Sequence, residues 1–257
     1  MYFFLCNLAV LDIILTTSTI PKMLALFLIN ANSISFTACF AQMCISHTME
    51  QFECFLLMIM AYDRYVAICK PLHYESIMNK NFNILITVIC FVVACILAVS
   101  VSVFTAQFPF HGANTINHCF CDNFFIARLS CVDITPLTIW ISAVIVVLVF
   151  IPFSFVVFSY ISILRSVLRI SSASGRQKTF STCSSHLAVV IIYYVSIVVS
   201  FSSYRADDVS DEFHALGTIF FAVITPALNP IIYTLRNKDV QLGFKMFIRN
   251  KIVVIKS

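Results

Sequence analysis

The chain has 257 residues, of which 60% are hydrophobic and only 11% charged, with a net charge of +4. Soluble globular domains carry about 25% charged residues, so this composition excludes an ordinary soluble domain and points to an all-α membrane protein. Four glycines and seven prolines exclude a collagen-like or flexible chain, and eleven cysteines, an odd number, exclude a fully paired disulfide framework.

Six segments are long and apolar enough to span about 30 Å of hydrocarbon at roughly 20 residues per span. They lie near 2–28, 38–69, 82–105, 136–168, 179–203 and 213–235 of one transmembrane bundle. Met1 starts directly in the first, with no basic flank or small-residue cleavage site, so no signal peptide is expected. The second span ends in an abrupt arrival of charge, Met-Ala-Tyr-Asp-Arg-Tyr-Val-Ala-Ile-Cys-Lys-Pro at 60–71. An Asp63–Arg64 pair on so apolar a helix marks a membrane edge or a place where charge is held and released. Higher on that span, Ser46, His47, Glu50, Gln51 and Cys54 share one helical face. Cys6, Cys44, Cys54, Cys69, Cys90 and Cys95 lie in apolar runs, where a thiol acts as a small hydrophobe. Beyond the last span, 237–250 reads as an amphipathic helix on the membrane surface, Phe244, Met246, Phe247 and Ile248 opposing Lys238, Lys245 and Arg249.

Orientation follows from Lys and Arg. Arg64, the 70–81 and 165–178 loops and the C-terminus together hold 13 of the 16 basic residues, leaving Lys22, Arg128 and Arg205. That face is the cytoplasmic one, and Met1 falls on it too. Asp207, Asp208, Asp211 and Glu212 then lie in an outside loop. So do Cys119, Cys121 and Cys131, with Cys39 at the outer end of the second span; in an oxidising compartment these four are expected to pair, in one of three ways. Asp12 and Glu53 both fall roughly 15 Å deep at 1.5 Å per residue. Two carboxylates at one depth must share a cation or a proton. A proton-sharing structural pair is the alternative to a cation site.

Four stretches in order resemble the olfactory receptors, a branch of the rhodopsin-like G protein-coupled receptors. Met-Ala-Tyr-Asp-Arg-Tyr-Val-Ala-Ile-Cys (60–69) is similar to the family's third-helix signature, and Lys-Thr-Phe-Ser-Thr-Cys-Ser-Ser-His-Leu (178–187) to the start of its sixth helix. Pro-Ala-Leu-Asn-Pro-Ile-Ile-Tyr-Thr-Leu-Arg-Asn-Lys-Asp-Val (226–240) resembles its seventh helix and the surface helix beyond. Met-Tyr-Phe-Phe-Leu-Cys-Asn-Leu-Ala-Val-Leu-Asp (1–12) resembles the start of its second. The resemblance implies a rhodopsin-like bundle with six of seven helices present. The first helix and the glycosylated tail have no counterpart, and no Asn-X-Ser/Thr acceptor occurs. A fragment, a mispredicted start or a truncated product is therefore expected.

The resemblance also implies roles. Asp63, Arg64 and Tyr65 hold the resting state and release Arg64 towards a heterotrimeric G protein. Tyr160 and Tyr233 meet near Arg64 in the active state, His186 and Lys178 ride the helix that swings outward, and Asn229-Pro230 permits a kink. Asp12 and Glu53, with Asn229 nearby, form a Na⁺ site, and no other cofactor is required. The odorant pocket lies between the outer halves of the spans. There the 46–54 face meets Val144, Ile145 and Leu148, then Tyr194, Ile197, Val198 and Phe201, then Ile219 and Ala222. Glu50 in that pocket favours an amine, unless it pairs with His47 or joins the cation site. Cys39–Cys121 is the implied disulfide. The first of the family's loop cysteines is His111 here and Cys119 is additional, so Cys119–Cys131 would be a replacement bridge.

The expected protein is thus an odorant receptor of the plasma membrane of sensory cilia. Its partners are a small-molecule odorant, a heterotrimeric G protein of the cAMP-raising type and the bilayer, with no nucleic acid. No nucleophile–base pair or phosphate loop indicates an enzyme. A rhodopsin-like receptor for a non-odorant ligand has the same sequence features, and a truncated non-signalling product is a further alternative. A transporter or channel would instead place charges at several depths.

Overall fold

The computed structural model describes residues 1–110, 115–116, 118–169, 171–205, 216–217, 219–236 and 246; the side chains at 178, 180–182, 201–205 and 234–236 are outside that description. The described residues form helices joined by short turns, with an antiparallel bridge between Phe110 and Ser130 tying the outer loop. The expected surface helix at 237–250 apart from Met246, the acidic residues at 207–212, His111 and the side chains of Lys178 and Phe201 lie outside the described residues.

Helix α1 (Tyr2–Ile29) ends at Asn30, whose φ of 52° is left-handed, a conformation asparagine tolerates at helix ends. Lys22 Nζ closes the following turn by donating to the Ala31 and Ser33 carbonyls, both at 2.6 Å. Helix α2 (Phe36–Cys69) starts where the Ser35 hydroxyl accepts the Ala38 N–H. A 3₁₀ turn at Pro71–His73 and the short α3 (Tyr74–Ile77) lead to α4 (Lys80–Ala106), capped by Asn79 through the Phe82 N–H. In the outer loop Asp122 caps α5 (Asn123–Ala127). Helix α6 (Thr135–Ile145) passes through a wide π turn at Val146–Phe150 into α7 (Ile151–Leu168). Helix α8 (Ala173–Arg205) follows so closely that most of the cytoplasmic loop expected at 165–178 is helical. A second π turn, Phe220–Ile224, precedes α9 (Thr225–Arg236).

Helices Tyr2–Ile29, Lys80–Ala106, Thr135–Leu168 and the segment Cys183–Ser200 are long and apolar enough to cross a bilayer. Helix α2 is not among them, and its position gives the reason. It is the hub, packed against α1, α4, α7 and α8, and it buries Gln42, Ser46, Glu53 and Asp63 against protein. A hub helix can carry polar residues because its neighbours, not lipid, surround it. The outer helices show the reverse pattern. Phe27, Ile96, Phe158 and Ile191 are all more than half exposed, an apolar surface suited to hydrocarbon and costly in water.

Candidate ligand site and cytoplasmic switch

At the C-terminal end of α2, the end expected to face the cytoplasm, Asp63 is fully buried and gathers its donors. Arg64 donates from Nε at 3.0 Å and from a terminal nitrogen to Oδ2; the Tyr74 hydroxyl donates to Oδ1 at 2.8 Å, and the Met1 amino group lies 3.3 Å from the same oxygen. Burial, then the Asp63 contact, push the Tyr74 phenol up to about 12, so it stays a donor at neutral pH. Arg64 is therefore folded back on its neighbour. Tyr65 sits beside it, its ring 6.4 Å from Phe158 and 5.9 Å from Lys70 Nζ.

Tyr160 of α7 stacks on His186 of α8, with its hydroxyl 2.7 Å from His186 Nδ1 and 3.3 Å from the Cys183 carbonyl. His186 Nε2 lies 3.2 Å from the Leu57 carbonyl of α2. A carbonyl only accepts, so Nε2 carries the proton and Nδ1 accepts from Tyr160. Three helices are thus pinned through one imidazole. Tyr233 is buried on α9, and its hydroxyl makes no hydrogen bond among the described residues. Pro230 lies inside α9, one residue after Asn229.

One helical turn deeper, α1, α2 and α9 meet. Asn229 Nδ2 donates to Asp12 Oδ1 at 3.1 Å, to Asp12 Oδ2 at 3.4 Å and to Glu53 Oε1 at 2.9 Å. All three groups are buried. The described residues contain no cluster of three His, Cys, Asp or Glu side chains arranged around a metal.

In the outer half, a cavity of about 240 Å³ opens between α2, α6, α8 and the outer loop. Ser46, His47, Glu50, Gln51 and Cys54 line it together, facing Val144, Ile145, Leu148 and Ile197. Four expected lining residues do not. On α8 the cavity face is Tyr193, Ile197 and Ser200, and one residue of helical rotation turns Tyr194 and Val198 away. Tyr194 points to α7, meeting Phe153 edge-on and holding Cys54 Sγ at 3.4 Å, while Val198 is 60% exposed. Within the second π turn, at Phe220–Ile224, Phe221 takes the cavity position, and Ile219 and Ala222 pack instead with Cys119 and Phe120.

The loop supplies what the sequence reading missed. Cys39 and Cys121 form a disulfide, as the resemblance implies. Gln42 Oε1 accepts the Cys121 N–H at 3.2 Å while its amide nitrogen Nε2 donates to the Ser18 carbonyl at 2.8 Å. This brings Phe120, Asp122, Asn123 and Phe124 over the cavity as a roof. Asp122 follows the cysteine bonded about two turns above His47, a placement that only the folded loop brings about. The replacement bridge does not form. Cys119 is a buried thiol in the cluster with Met23, Leu26 and Ala222, whereas Cys131 is exposed and its N–H reaches the Pro109 carbonyl.

Glu50 Oε2 lies 3.2 Å from His47 Nδ1, and His47 Nε2 lies 3.8 Å from Asp122 Oδ2, beyond hydrogen-bond reach. A larger cleft of about 820 Å³ between α7 and α8 is walled by hydrocarbon such as Phe153, Val156, Leu187 and Ile191. Specific ligand sites need a few converging polar groups to fix orientation. The smaller cavity has them.

The sequence pattern of the olfactory receptor family matches residues 1–251. Human Olfactory receptor 2AT4 is 48% identical over 241 residues, covering 94% of this chain and 75% of that protein. Human Olfactory receptor 2S2 is 42% identical over 98% of this chain and 80% of its own length, and human Olfactory receptor 13D1 is 39% identical over 100% and 74%. With the helical bundle and the motifs in place along it, this chain belongs to the olfactory receptor family, and it is a membrane receptor rather than an enzyme.

Proposed function

We propose that this receptor binds a small odorant in the 240 Å³ cavity and couples to a heterotrimeric G protein of the stimulatory, cAMP-raising type at the Arg64 end. One observation carries the reading: the cavity and the Arg64–Asp63 lock are built on the same hub helix, α2. The volume suits a volatile-sized ligand, being just below the roughly 300–1,000 Å³ of drug-sized sites. The state described is the resting one on this reading, since Arg64 is held by Asp63 and Tyr160 by His186. Its expected location on this reading is the plasma membrane of sensory cilia.

Asp12, Glu53 and Asn229 would supply the Na⁺ ligands, and their hard oxygens suit an alkali cation. As arranged, Asn229 turns its amide nitrogen to both carboxylates, so Na⁺ entry requires that amide to turn and present its oxygen. A Na⁺ held there would balance the two carboxylates, and Asp12, Glu53 and Asn229 would tie α1, α2 and α9 together in the resting state. Insensitivity of agonist potency to both Na⁺ and Asp12→Asn would rule the cation out.

The coupled reading is tested in cells carrying a cAMP reporter and an epitope tag that reports surface level. An odorant response abolished by Arg64→Ala and by the cavity-filling Leu148→Trp, at unchanged surface level, is expected. A response that survives Leu148→Trp places the ligand elsewhere; one that survives Arg64→Ala removes the switch.

A further inference from the structure

Resting on the reading of this cavity as the ligand site, we infer that its polar corner, Glu50–His47–Asp122 with Gln51, selects ligands bearing a protonated amine. The argument is one of charge and of unmatched acceptors. His47 Nδ1 faces the Glu50 carboxylate at 3.2 Å; a carboxylate only accepts, so Nδ1 carries a proton. Nε2 then faces Asp122 Oδ2 across 3.8 Å with no hydrogen bond. Gln51 Oε1, a third acceptor at this end, is buried with no partner among the described residues.

Both states of His47 lead to the same ligand class. With the imidazole neutral, two carboxylates face no cation, and Nε2 and Asp122 Oδ2 are opposed acceptors that need a donor between them. With the imidazole protonated, one positive charge meets two negative ones. Either way the corner holds at least one uncompensated negative charge. No Lys or Arg is among the described lining residues. Asp122 is itself fixed, since its Oδ1 accepts the Phe124 N–H at 2.9 Å and its neighbour Cys121 is tied to α2.

An ammonium group supplies what is missing: one positive charge and three donors on one nitrogen, each reaching an acceptor about 2.9 Å away. The rest of the cavity suits an apolar body. Val144, Leu148 and Ile197 line its floor, and Phe221 adds an aromatic wall. Glu50 keeps its place on α2 because the Tyr193 hydroxyl donates to its backbone carbonyl at 2.7 Å. The inferred ligand is therefore a small primary amine on an aliphatic or monocyclic skeleton.

The test uses the full chain in the cAMP-reporter cells, with surface level read by the tag. The probes are primary amines of six to eight carbons and the alcohols of identical skeleton. The amine is expected to act at a concentration at least tenfold below its alcohol. In Glu50→Gln and in Asp122→Asn that ratio is expected to collapse towards one. A wild-type ratio of one or less overturns the inference. So does a ratio unchanged in both variants, or the absence of any amine response from surface-expressed receptor. Leu148→Trp separates the two levels. If it abolishes the responses while the ratio test fails, the cavity stands as the ligand site and only the amine preference falls. If responses survive it, the reading of the cavity falls as well.

Discussion

At the scale of single residues, Tyr74 joins a cytoplasmic turn to the switch. Its hydroxyl is a neutral donor to a buried carboxylate that also holds Arg64. Hydrogen bonds to charged groups are worth about 1.5–3 kcal/mol, and partial exposure puts this one at the low end. Each 1.4 kcal/mol is tenfold in an equilibrium, so Tyr74→Phe is expected to raise ligand-independent cAMP up to about tenfold at equal surface level. An unchanged basal signal would show that Asp63 holds Arg64 without help. Asp63 and Arg64 were legible because charge in an apolar run stands out, and His47 and Glu50 because they share a helical face. Tyr74 and Asp122 were not. Each sits in a turn or loop far from its partner along the chain, and only the folded path brings them together. Gln42, which clips the loop to α1, reads from sequence as one more polar residue on α2.

At the scale of elements, the two wide turns share a cause. Pro152 follows the π turn at Val146–Phe150, and Pro226 follows the one at Phe220–Ile224. A proline has no N–H, so the turn before it is short of a backbone donor and widens, as π turns at functional sites often do. Both turns border the cavity, through Leu148 and Val149 on one side and Phe221 on the other. They also explain why sequence spacing failed locally: inside the second wide turn the α-helical spacing of about 3.6 residues no longer assigns faces, so Phe221 faces inward where Ala222 was expected. At the first turn the shortfall is met from outside, since Cys54 Sγ donates to the Leu148 carbonyl at 2.8 Å. Ser196 and Thr225 hydroxyls, 3.1 Å apart, brace the second. Cys54→Ala leaves a buried carbonyl unmatched, at a cost of about 1 kcal/mol for so weak a donor. An apparent Tm lower by roughly 2–4 °C is expected of the purified receptor. Pro152→Ala returns a backbone N–H, so the same Cys54→Ala change should cost about half as much in that background. Equal losses in both backgrounds would mean that the thiol does not substitute for the missing N–H.

At the scale of the whole molecule, ligand site and output share three helices. Near the cavity α2 is bound to α8 through Tyr193 on the Glu50 carbonyl, and to the turn before α7 through Cys54. Towards the Arg64 end the same three are bound through Leu57, Tyr160 and His186. An outward swing of α8 must break the His186 contacts, and a ligand can drive it only by binding the two arrangements with different affinity. Tyr160→Phe isolates this device, because the ring still stacks while the hydroxyl is lost. A buried hydrogen bond contributes about 1 kcal/mol, roughly a fivefold shift between states, so basal cAMP should rise about fivefold. On the family reading the same hydroxyl later joins Tyr233 near Arg64, so its loss should also lower the maximal agonist response. A clasp that acts only in the resting state predicts higher basal signalling with an intact maximum. A group needed only in the active state predicts an unchanged basal signal and a lower maximum. Concentration–response curves for Tyr160→Phe, normalised to surface level, separate these outcomes. The geometry predicts both changes together, and either one alone would refute the shared use of Tyr160 in the two states.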